Sequence, residues 1–117
     1  MVTRAELHAN FAISARATAV ILTLMRRVAE EDGEYPEALA IKWARIIFND
    51  GFETPYDVHI GFYDRATFPG HDRGNWTVIN GIKIVFMVDE PLFPHFFGKT
   101  LDVEDTGQFV LRDEKKG

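Results

Sequence analysis

Two histidine–carboxylate pairs carry the sharpest chemistry in the sequence. Asp57 and His59 stand two residues apart in an alternating segment, so both project from one face of a strand. His71 and Asp72 sit in the loop Pro69-Gly-His-Asp-Arg-Gly-Asn75, whose glycines would let them swing toward that face. Neutral imidazole with carboxylates suits iron(II), zinc or manganese, and three such ligands suffice when water completes the shell. The plainer reading is a solvated strand face beside an ordinary polar loop, because no H-x-x-x-H or comparable spacing is present. The expectation is therefore no resident cofactor, with a divalent metal at Asp57, His59, His71 and Asp72 as the alternative.

Other chemistries are excluded by residue type. None of the 117 residues is cysteine. That removes a disulfide framework, a thiol nucleophile, a thiolate zinc site and a cysteine-held iron–sulfur cluster. The single serine, Ser14, is better placed as a helix cap than as a nucleophile. No G-x-S-x-G, P-loop or dinucleotide fingerprint appears. Glu30-Glu31, and Asp102 with Glu104 and Asp105, fall at a helix end and in a turn and are read as solvated surface. With a net charge of −5, and with Arg26-Arg27 and Lys115-Lys116 far apart, no nucleic-acid groove is expected. The chain is thus not expected to be an enzyme.

Aromatic residues offer a different kind of site. Phe93, Phe96 and Phe97 lie within five residues, and one short turn cannot bury all three. Two are expected in the core and one at the surface, where it could anchor a protein partner or a second copy. His95, beside them, is read as structural.

The elements that must position these residues follow from periodicity. Leu7, Phe11, Ala15, Thr18, Leu22, Met25 and Ala29 recur at steps of three and four, one stripe of a helix. Two starts are open: a Thr3/Glu6 capping box with the helix from Arg4, or a short extended Phe11-Ala-Ile13 with Ser14 capping a helix from Ala15. Gly33 closes it. Ala40 to Phe48 reads as a strand, ended by Asn49-Asp50-Gly51. From Tyr56 to Tyr63 the residues alternate, with Tyr56, Val58, Ile60 and Phe62 on one face. Trp76–Ile79 and Ile82–Val88 flank Asn80-Gly81, the preferred pair for a tight hairpin. A helical turn from Asp89 and two short extended pieces, Leu101–Val103 and Gln108–Leu111, complete one domain over 1–112. Residues 113–117 read as a flexible charged tail. The apolar run Ala19–Met25 is too short to cross a bilayer, and Arg26-Arg27 follows it, unlike a signal peptide. The expected location is cytoplasmic. The fold class is α+β, mostly β.

In this order the pieces resemble the HesB/IscA family, the A-type iron–sulfur carriers, over about a hundred residues. Phe11-Ala-Ile-Ser-Ala-Arg-Ala17 looks like that family's opening strand and capped helix. Ala44-Arg-Ile-Ile-Phe48 and Tyr56–Asp64 resemble its core strands on either side of the first ligand loop. Asn80-Gly-Ile-Lys-Ile-Val85 looks like its "NGVKIVVD" hairpin. Gly98-Lys-Thr-Leu-Asp-Val-Glu-Asp105 resembles its "L-x-G-x-x-L-D-Y-V" segment, and Gly107-Gln-Phe109 its closing strand. The resemblance implies a mixed-sheet pseudo-barrel with a long N-terminal helix and a short helix before the last strands.

It does not imply cluster chemistry. The family's first ligand position falls on Phe52, and its C-terminal cysteine pair has no counterpart in Asp113-Glu-Lys-Lys-Gly117. Phe52 has two readings: a loop filler that packs on Tyr56 or the Asn80-Gly81 hairpin, or, in the family frame, a bulky apolar side chain that fills the former cluster pocket and by its burial stabilises the fold by about 2 kcal/mol. The functional expectation is a non-catalytic relative that has lost cluster binding and acts on a protein partner, as a homodimer or otherwise. A His/Asp metal protein and an unrelated α+β interaction module stand as alternatives.

Overall fold

Thr3 and Ser14 each start a helix, so both proposed starts are used. The computed structural model describes residues 1–64 and 75–113. Helix α1 (Arg4–Ala9) opens on a complete capping box between Thr3 and Glu6. Strand β1 (Phe11–Ile13) follows, and Ser14 Oγ then accepts the Ala17 amide to open α2 (Ala15–Asp32). Gly33, at φ 85°, ends α2 in the left-handed conformation that glycine adopts without strain. The buried face of α2 is Ala17, Ile21 and Met25. The stripe expected through Thr18 and Leu22 is rotated from this, and Leu22 is exposed. A stripe in phase with Leu7 does not carry through, because residues 10–14 leave the helix and reset the phase.

The strands are β2 (Ala38–Ala44), β3 (Asp57–Tyr63), β4 (Trp76–Ile79), β5 (Ile82–Phe86), β6 (Lys99–Val103) and β7 (Phe109–Asp113). A 3-10 helix, Glu90–His95, precedes β6, with Asp89 at its cap position and Pro91 in its first turn. Two mixed sheets result. One has the order β3-β2-β5-β4, with β2 and β5 parallel and the outer pairs antiparallel. The other has the order β1-β6-β7, with β1 parallel to β6. The fold is therefore α+β, mostly β. Asn80 (φ 53°) and Gly81 (φ 80°) make the β4–β5 turn, the double positive φ that Asn-Gly supplies. The Asn80 amide also donates to Ile13 O and Thr18 Oγ1, which fixes the hairpin to the start of α2.

One core joins α1, α2 and both sheets through Leu7, Ile21, Leu39, Ile84, Phe96 and Leu101. Val58 packs there, as the alternation of β3 requires, with Ile60 and Phe62 half-buried beside it. On the opposite face of the larger sheet, Ala38, Ala40, Tyr63 and Val85 form a small second cluster. Asp113 belongs to β7, paired with Lys99, so the strand takes the first residue of the expected tail. Residues 114–117 lie outside the described ones.

Asp102 corrects the reading of a solvated acid. Its carboxylate accepts Ser14 Oγ–H at 2.7 Å, the Val103 amide at 2.8 Å and Arg112 Nε at 2.8 Å. The Ser14 hydroxyl first, then the Val103 amide and Arg112, hold its pKa down from 3.8 to about 2. Asp105 in turn pairs with Arg16 at 3.1 Å. A carboxyl with a lowered folded pKa stabilises the protein above its ordinary value, and that contribution is lost as pH falls from 3.8 to about 2. Asp102→Asn is therefore expected to lower stability at neutral pH. The difference from the parent should vanish toward pH 2, measured by urea unfolding at a series of pH values. A difference that is constant with pH would show that the carboxylate is not engaged.

Candidate functional site

Past Ala44 and Asp57 the β2–β3 pair runs on as a separate hairpin, residues 45–56. Asn49-Asp50-Gly51 turns it, with Gly51 at φ 89° and Phe52 N donating to Asp50 Oδ1 at 2.9 Å. Phe48 N donates to Phe52 O at 2.8 Å and Thr54 N to Ile46 O at 2.9 Å. Ile47 bridges Glu53 between them. Arg45 pairs with Glu53 at 2.6 Å and stands over the Tyr56 ring at 5.2 Å. β2 therefore ends at Ala44 instead of Phe48. Its neighbour β5 pairs with it only as far as Ile41, so beyond that residue β2 keeps β3 as its one partner, through Ala44. At its other end β2 begins at Ala38, where Tyr63 pairs with it.

The hairpin exposes apolar surface. Ile46, Ile47, Phe48, Phe52 and Tyr56 are all about half exposed. Phe52 is 61% exposed and packs on Phe48, ring centroids 5.8 Å apart. It fills no pocket and touches the hairpin's own tip, so the stabilisation expected from its burial does not arise. The sequence did hold a signal. Three successive apolar residues, Ile46-Ile47-Phe48, cannot share one face of a strand, and an Asn-Asp-Gly turn follows at once. At least one of them needs a cover that this short hairpin lacks.

At the foot of the hairpin lies an open groove of about 470 Å³ between Trp43, Asp57, His95, Lys99 and Leu111. His95 stacks on Trp43, 4.4 Å apart and nearly parallel, in keeping with a structural role. A second open groove, about 460 Å³, runs past Arg16, Thr100, Asp102 and Arg112. Its two guanidinium groups are answered by Asp105 and Asp102.

Asp57 and His59 share one face of β3, as expected. Lys42 is the register partner of His59, and its ammonium lies beside Gly61 on that same face. A cation there opposes a second positive charge, so the pair is a poor start for a metal site. Among the described residues no three His, Cys, Asp or Glu side chains come together to hold a metal. His71 and Asp72 lie outside the described residues. Of the aromatic cluster, Phe93 and Phe96 are buried and Phe97 is 38% exposed. The split of two in the core and one outside is as expected, and the aromatic surface there reduces to Phe97.

The chain matches no protein-family model and no curated protein. Among the described residues no helix is long and apolar enough to cross a membrane. The fold is similar to the solution NMR structure of a protein from Aquifex aeolicus, a structural-genomics target. The likeness has a TM-score of 0.50 and 21% identity and covers 89% of this chain and 91% of that one. At that identity the likeness is one of fold alone, and the α+β arrangement of this chain is one that another protein also adopts.

Proposed function

We propose that the protein is a non-catalytic, cysteine-free relative of the HesB/IscA carriers that works in the cytoplasm by binding protein through the 45–56 hairpin. The carrying observation is the hairpin itself. In the family resemblance this loop holds the first cluster ligand, and here Phe52 stands in that place with its side chain outward among four other exposed apolar residues. A loop rebuilt from thiolate to aromatic exchanges a metal surface for one that associates by losing water. The β4–β5 hairpin held to α2 through Asn80 is the packing that the resemblance leads one to expect. A thiolate cluster needs cysteine, and the sequence has none.

Anaerobic reconstitution with ferrous iron, sulfide and a thiol reductant tests the loss of cluster binding. The expected product is colourless after desalting, with iron and sulfide at the level of a cysteine-free control protein. Visible charge-transfer absorbance with stoichiometric iron and sulfide would overturn the proposal.

A further inference from the structure

We infer that the groove beside the start of α2 binds the phosphate group of a small phosphate monoester, gripped by Arg112, Thr100 and Arg16. The groove lies on the smaller sheet, and the inference is independent of the 45–56 hairpin.

Leu101 and Val103 of β6 are buried in the core, so Thr100 and Asp102 project from the opposite side of the sheet. Arg112 is the register partner of Thr100 and shares that side. Arg16 joins them from the first turn of α2, and these residues line the groove of about 460 Å³. Space of that size accepts a small metabolite.

Arg112 is held in place by its inner edge. Its Nε donates to Asp102 Oδ2 at 2.8 Å, while Asp102 Oδ1 accepts the Ser14 hydroxyl and the Val103 amide. The N–H groups on Nη1 and Nη2 remain, and among the described residues they have no partner. The same holds for the Thr100 hydroxyl among the described residues. A planar fork with its outer edge open takes two oxygens of one oxyanion. Because Asp102 already orders the fork, binding loses little side-chain freedom. Arg16 is positioned by donating Nη2 to Val103 O. Donors thus come from a helix and from a sheet and do not share a plane. That suits the tetrahedral oxygens of phosphate better than a planar carboxylate.

The charges leave room for an anion. Arg16, Arg112 and Lys99 meet Asp102, Asp105 and Asp113 in three pairs. Asp102 is committed to three donors, and Asp113 is paired with Lys99 across the strands. Asp105 is different: its side chain is 97% exposed and meets Arg16 at 3.1 Å. An exposed pair of that kind contributes little and is readily exchanged. When Asp105 swings out, three cations face two carboxylates, and a phosphate takes the vacated place on Arg16.

Titration of the isotope-labelled full chain with glycerol phosphate at constant ionic strength, followed by NMR, tests the site. Saturable shifts are expected at Arg16, Thr100 and Arg112, with a Kd on the order of 1 mM. Inorganic phosphate should reproduce them, and acetate should not. Arg112→Gln is expected to weaken binding about tenfold or more, because a charged donor pair is lost. Thr100→Val, which leaves the Asp102 contacts in place, should weaken it about threefold. Asp105→Asn should tighten it about twofold by removing the competing carboxylate. Lys83→Gln, a cation elsewhere, should change nothing. Absence of saturation up to about 50 mM would overturn the inference. So would an equal response to acetate, or parent-like binding by both Arg112→Gln and Thr100→Val.

Discussion

Phe96→Ala is expected to destabilise the protein by about 3–5 kcal/mol, the range for truncating a buried phenylalanine. Phe96 is fully buried just after the 3-10 helix. Its ring meets three others edge-on or nearly so: Trp43 at 5.7 Å, Phe86 at 6.3 Å and Phe11 at 6.4 Å. Those three rings come from β2, β5 and β1, so one side chain closes the space between the two sheets. Edge-to-face contacts add to area burial because the positive ring edge meets a negative face. The void left by alanine would be bordered by rings held from three strands, and such a site collapses poorly. Phe96→Leu should cost less, since most of the volume remains. Phe97→Ala, one residue on and partly exposed, should change stability by less than about 0.5 kcal/mol. Urea unfolding of the three variants decides the matter. Equal effects at 96 and 97 would refute this assignment of inside and outside.

Local signals in the sequence led to correct elements wherever the partners of a residue are its near neighbours. Asn80-Gly81 specifies its turn through two positive φ angles, and Thr3 and Ser14 reach amides three residues on. The alternation of β3 sorts Val58 and Tyr63 to opposite faces without outside help. The failures are of another kind. Asp102 looks solvated in a run of acids, but its partner Ser14 lies 88 residues away. The phase of α2 depends on a break at Asn10, which a continuous helical stripe conceals. The resemblance implies a pocket for Phe52, but whether a pocket exists is a property of the packed fold, and the residue is exposed. The candidate site was half legible. The apolar run and its turn are plain in the sequence, but its exposure depends on where β5 stops pairing with β2, at Ile41.

Asn75 is the other position where one side chain holds distant parts together, and Asn75→Ala is expected to cost about 2–3 kcal/mol. Its side chain is buried. Nδ2 donates to Phe86 O at 2.9 Å, and its backbone carbonyl accepts the Phe86 amide at 3.0 Å. The Phe86 carbonyl can only accept, so the amide must turn its nitrogen that way and leave Oδ1 to His8. His8 Nε2 meets Oδ1 at 2.9 Å and therefore carries the hydrogen, and its ring stacks on Phe86 at 5.4 Å. Alanine strands a buried carbonyl and removes the tie from α1 to the larger sheet. Asn75→Asp should be worse at neutral pH, because it sets an ionised oxygen against the Phe86 carbonyl. Burial beside that oxygen raises the introduced carboxyl's pKa above the unfolded value. The variant should then regain stability as pH falls through the raised value, where a protonated oxygen can donate to Phe86. The parent lacks that gain. A double-mutant cycle of Asn75→Ala with His8→Ala should show a coupling of about 0.5 kcal/mol or more. Strict additivity would mean that the hydrogen bond from α1 contributes nothing, and that Asn75 serves Phe86 alone.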